Sequence, residues 1–135
     1  MIIDTQTTLS LAQTGITTTA ASTNYYDAGS QGDAIGSHLW VVVRVNASVT
    51  SGSSTGTVQA TVETADDTAF SVNKTLLLAG NAVTIPAAGT YLLKAQLGVG
   101  IRRYTRINYV NGTEALTGGS FDALIVSDID DLLNY

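Results

Sequence analysis

The chain is 135 residues long and 44% hydrophobic, enough for one buried core and too short for two, which excludes disorder and a multidomain layout. Its eleven acids outnumber six bases, giving a net charge of −5, and this excludes duplex nucleic acid as a partner because phosphate binding needs an excess of Lys and Arg. With no cysteine and no apolar run near the ~20 residues that cross a bilayer, disulfides, thiolate chemistry and a membrane-spanning helix are excluded as well.

The amino terminus, Met1-Ile2-Ile3-Asp4, has neither the basic start nor the apolar stretch of a secretory signal, and residues 1–14 read as an amino-terminal arm. Strand candidates follow at 15–20 and 24–27. In 39–45, Leu39, Val41, Val43 and Val45 share one face while Trp40, Val42 and Arg44 share the other. In 57–63, Val58, Ala60 and Val62 alternate with Thr57, Gln59, Thr61 and Glu63, the pattern of a strand with one wet face. Further candidates lie at 74–79, 90–96, 103–110 and 121–127. Breakers separate them: the Ser/Gly run 51–56, the lone Pro86, Asn111-Gly112 as a tight turn, and Gly118-Gly119 before the last strand. Residues 129–135 read as a short acidic tail. About eight short strands without a helical period predict an all-β fold, an antiparallel β-sandwich of jelly-roll type, in a single domain over 1–135.

Reactive groups are scarce. His38 is the only histidine, no Gly-x-Ser-x-Gly elbow occurs, and a triad or zinc site needs more than one such residue. Asp66-Asp67 sits in a Thr/Ala-rich stretch where adjacent aspartates signal a turn, and Asp128, Asp130 and Asp131 lack the glycine and distal glutamate of a calcium loop. Gly98 and Gly100 precede a strand, whereas a phosphate loop opens a helix. Nothing asks for a cofactor or a metal, and no enzyme is expected. Arg102, Arg103 and Arg106 cluster on one candidate strand, as an interface or a salt-bridge patch. The aromatics group at Tyr25-Tyr26, Trp40, Tyr104 and Tyr109. Tyr109 is expected in the core, and Trp40, opposite the valines, as an intermolecular contact. Charged residues are only 13% of the chain against ~25% in an average soluble domain, and the Thr, Ser, Ala, Gly and Asn that replace them suit contact with other protein.

Several stretches taken in order carry a family likeness: Met1-Ile2-Ile3-Asp4-Thr5, Leu9-Ser10-Leu11-Ala12-Gln13, Thr19-Ala20-Ala21-Ser22-Thr23-Asn24 and Asp27-Ala28-Gly29. Leu39-Trp40-Val41-Val42-Val43, the run from Val62 to Ser71, Arg103 to Val110 and Ala123 to Asp128 continue it, while 74–96 matches only in character and the tail beyond Asp128 runs longer. In these the chain resembles the Bbp16-type capsid cement, or decoration, proteins of tailed bacteriophages. The resemblance implies a jelly roll made in the host cytoplasm that self-associates into dimers or trimers. It also implies binding to the major capsid protein on the capsid exterior of the virion. On that footing Ile2, Ile3, Leu9 and Leu11 are expected to dock as an extended arm, with Tyr25, Tyr26, Trp40, Arg102, Arg103 and Arg106 as further capsid or oligomer contacts. The rival expectation is a carbohydrate-binding or adhesin-type module on the virion surface, which exposed planar aromatics would mark.

Overall fold

Side chains alternate across a strand, so each run of alternating valines can bury one face only if a second sheet lies over it. The computed structural model, which describes residues 8–29, 39–97 and 100–126, supplies that second sheet. The strands are β1 (Thr8–Gln13), β2 (Ala20–Ala21), β3 (Tyr26–Asp27), β4 (Trp40–Ser51), β5 (Thr57–Ala65), β6 (Thr75–Ala79), β7 (Val83–Thr84), β8 (Tyr91–Gln96), β9 (Tyr104–Gly112) and β10 (Leu116–Val126). One sheet runs β1-β10-β4-β8 and the other β2-β9-β5-β6, with β3 also on β9 and β7 also on β5. All pairings are antiparallel. Taking β2 and β3 as one interrupted strand and β7 as an appendage leaves eight, crossing between sheets in jelly-roll order. The expected β-sandwich is therefore the observed fold.

The core lies between the sheets. Val41, Val43 and Val45 of β4 face Val58, Ala60 and Val62 of β5, together with Ile107 and Tyr109 of β9 and Phe121, Ala123 and Ile125 of β10. Burying each large aliphatic or aromatic side chain stabilises the fold by about 1.5–3 kcal/mol before the entropy of ordering is counted. Tyr109 and Phe121 meet across the gap with ring centroids 4.9 Å apart. The Tyr109 hydroxyl crosses further and donates to Ser10 Oγ on β1 at 3.0 Å. Burial pushes that hydroxyl's pKa up, because the phenolate would be formed away from water. A second, smaller apolar group (Val42, Leu124 and Val126, with Trp40 against them) lies on the outer face of the four-stranded sheet.

Three expectations change. Residues 8–13 form β1, the strand beside β10, so the arm does not extend to residue 14. An edge strand and a free extended arm share one backbone conformation, and short alternation such as Leu9-Ser10-Leu11 does not separate them. The strand expected over 15–20 is mostly irregular: Gly15 takes φ +75°, and regular pairing begins only at Ala20. Gly118-Gly119 lies inside β10, where the register shifts against β4. Gly119 adopts φ +121°, and a Cβ there would stand 3.0 Å from Val49 Cα, so this irregularity admits only glycine.

Candidate functional site

The most featured exposed surface lies on the outer face of the six-stranded sheet. Strand register sets Arg106 of β9 opposite Glu63 of β5, and Glu63 opposite Leu76 of β6. Arg106 Nε donates to Glu63 Oε2 at 3.0 Å, and Lys74 Nζ stands 3.4 Å from Glu63 Oε1. Glu63 is nearly buried, with a cation against each of its carboxylate oxygens. The Arg106 guanidinium also lies 4.2 Å from the centre of the Phe70 ring.

Phe70 reaches this place because the loop between β5 and β6 is tied from within. Asp67 accepts hydrogen bonds from the backbone N–H groups of Ser71 and Val72 and from the Ser71 hydroxyl. Asp66 accepts from Asn73 Nδ2 at 2.7 Å and pairs with Arg102 at 3.1 Å. Tyr25 sets its ring edge-on to Phe70, 6.3 Å away at 61°, and to Tyr104, 5.3 Å away at 89°. Arg103 pairs with Asp27 at 3.0 Å and lies 5.1 Å from the Tyr104 ring centre. Tyr25 remains 43% exposed and Val72 half exposed, so aromatic and aliphatic surface stands open among oriented guanidinium groups.

The three clustered arginines are thus each held by a carboxylate of the chain itself: Arg102 by Asp66, Arg103 by Asp27 and Arg106 by Glu63. Tyr25 and the arginines come together, but the other expected contacts among the described residues do not. Tyr26 packs against the core and Leu9 is fully buried in it, which corrects the expectation that they face a partner. The direction of a side chain at a two-residue strand or at the irregular register of β1 is not given by alternation. Trp40 lies on the other sheet, on the face predicted, yet it is half-buried against Val42, Leu124 and Val126 instead of standing open. Leu11 is 67% exposed on β1, a strand of the four-stranded sheet. Ile2, Ile3 and His38 fall outside the described residues. Phe70 was invisible as a contributor because a loop carries it there. Glu63 and Arg106 could have been matched as outward positions of alternating strands.

Among the described residues, four carboxylates carry lowered pKa values. Asp27 is lowered by its hydrogen bond from Arg103 and then from the Gly29 N–H, and Asp66 by Asn73 and then Arg102. The Ser71 hydroxyl and Val72 N–H do the same for Asp67, and the Ser53 N–H and Ser51 hydroxyl for Glu114. A folded-state value below the unfolded one gives stability that is present above the unfolded pKa and lost as pH falls through the folded one. The midpoint of thermal unfolding should therefore decline as pH is taken from about 6 to about 2, most steeply below the ordinary aspartate value of 3.8. Calorimetry across that range checks this, and a flat profile would contradict the carboxylate network.

The Bbp16 family model matches residues 9–125. This chain belongs to the Bbp16 family. The family is phage-associated, and the match runs from β1 to the penultimate residue of β10, so the Bbp16 unit is the sandwich itself. No curated protein matches the chain.

Proposed function

We propose that this Bbp16 protein is a structural virion component that binds the outer surface of a phage capsid and bridges neighbouring major capsid subunits. Membership of a phage-associated family supports the setting. The observation that carries the mode of action is the open group of Tyr25, Tyr104, Arg103 and Arg106 on the six-stranded sheet. Tyrosine and arginine dominate the energetics of protein interfaces, and side chains already held by neighbours lose little entropy on docking. Attachment requires no chemistry: a protein that binds the assembled lattice and not separated subunits stabilises assembly by mass action. The rings weigh against the glycan-binding alternative, since Tyr25 and Tyr104 stand perpendicular and offer no shared plane for a sugar.

Purified protein added to shells lacking it should co-sediment saturably and raise the temperature at which they break. Tyr25→Ser should weaken attachment roughly tenfold or more, as loss of an interface anchor does, with circular dichroism unchanged. Failure of the parent protein to bind intact shells would reject the capsid reading. Unaltered binding by the Tyr25 variant would reject this surface.

A further inference from the structure

A strand position turned away from the core of a two-layer sandwich ordinarily meets water and carries a polar side chain. The outer face of the four-stranded sheet breaks that pattern in one block. Register sets Leu124 opposite Val42 and Val126 opposite Trp40, so four apolar side chains stand together there. Val42 is 1% exposed and Leu124 2%, values that belong to a core and not to a wet face. Among the described residues, Trp40 is the one partly buried hydrophobic side chain packed on this group.

The block is bordered by polar groups on three sides. Lys94 and Gln96 of β8 lie opposite Val42 and Trp40, Thr8 of β1 lies opposite Leu124, and Arg44 and Asp122 form the next outward pair. On the fourth side β10 ends at Val126, so the chain runs on into 127–135 from a member of the block itself. In that segment Ile129, Leu132 and Leu133 have the i, i+3, i+4 spacing of one helical face, with Asp128, Asp130 and Asp131 around the rest. Strand alternation would instead set Asp131 on one face with Ile129 and Leu133. Ser127 and Asp130 have the spacing of a capping box, which opens a helix.

We propose that residues 127–135 turn back over the outer face of the four-stranded sheet as a short amphipathic helix, with Ile129, Leu132 and Leu133 covering Trp40, Val42, Leu124 and Val126. Three observations choose this occupant. The segment starts at the edge of the block, so only a short loop must be fixed to close the contact. Eight helical residues reach about 12 Å, enough to cross a block that measures roughly 7 Å along the strands and 5 Å between them. Three aspartates and no base arrive beside Lys94, which is exposed at the border. So short a helix is marginal alone in water, and it forms where an apolar surface receives it. The Bbp16 match ends at residue 125, so this cover is an addition to the matched unit. The proposal does not rest on capsid attachment, and its test uses the isolated full chain.

Trp40 is the only tryptophan, so it reports on the cover directly. Nuclear Overhauser cross-peaks should join its indole protons to the methyl groups of Leu132 or Leu133. Replacing both leucines with serine should move the Trp40 emission to longer wavelength and raise its quenching by acrylamide roughly twofold or more, as the ring meets water. Leu132→Met with Leu133→Met should keep the parent's emission, and both double variants should keep the strand signal in circular dichroism. Absent cross-peaks, or quenching unchanged by the serine pair, would overturn the proposal. Cross-peaks from Trp40 to Ile2 or Ile3 instead would give the place to the amino-terminal residues and overturn it too. So would cross-peaks to Leu132 or Leu133 seen only between differently labelled copies, which would make the occupant a second chain.

Discussion

Replacing Gly80 with alanine should destabilise the fold by about 3 kcal/mol, the upper range for forcing an atom into packed structure. A Cβ on Gly80 would stand 2.3 Å from the Leu92 carbonyl oxygen, a backbone atom that cannot rotate away. Nor can Gly80 move. Its N–H donates to Ala60 O at 2.9 Å, and its carbonyl accepts from Gln59 Nε2 at 2.7 Å, so it is pinned to β5 on both sides. The clash therefore pushes β8, in one sheet, away from β5, in the other. Thermal unfolding followed by circular dichroism should show a midpoint lower by roughly 10 °C for a domain of this size. Gly89→Ala is the control: its φ of +89° strains any side chain, but a Cβ there meets nothing, so the loss should stay near 1 kcal/mol. Equal effects at the two positions would show that the close approach of Gly80 is not what matters.

Deleting residues 1–11 should unfold the protein instead of merely detaching it from a partner. The deletion takes Leu9 out of the core, where truncation of a buried leucine alone costs about 2–5 kcal/mol. It also removes Ser10, leaving the buried Tyr109 hydroxyl without its acceptor at a further cost of about 1–3 kcal/mol. With the inner edge of β10 stripped as well, the sum approaches the roughly 5–15 kcal/mol that holds a domain of this kind together. Deletion of residues 1–7 leaves every described strand complete and is the variant suited to testing an arm that docks on a partner. Amide dispersion in a proton–nitrogen spectrum distinguishes the outcomes. A well-dispersed spectrum for the longer deletion would show that β1 is dispensable to the core.

Much of the sandwich could be read from alternation because its strands are half-wet: the inward set of β5 (Val58, Ala60 and Val62) and that of β4 are the residues found buried. What escaped the sequence lies where the period slips. β10 pairs with β4 through three register shifts, so Gly118-Gly119, which reads as a strand break, instead sits within one strand. Asn111-Gly112 likewise ends β9, and the left-handed residue of the following turn is Thr113, at φ 66°. The candidate surface was legible only in its charges. Three arginines at 102, 103 and 106 signalled a patch, but their carboxylates come from β3, from β5 and from the loop after β5. Only the jelly-roll crossing between sheets brings those segments side by side.

The place of β1 has a consequence for biosynthesis. Its ladder partner among the described strands is β10, with Thr8 opposite Leu124, so the first described strand to leave the ribosome waits for the last described one. β4, the other neighbour of β10, waits as well on that side. The four-stranded sheet is therefore incomplete until β10 has been made, and the core that Leu9 enters lacks Phe121, Ala123 and Ile125 before then. Closure of this sheet is slow for a small domain, because so long a loop must be fixed before its contacts reward it.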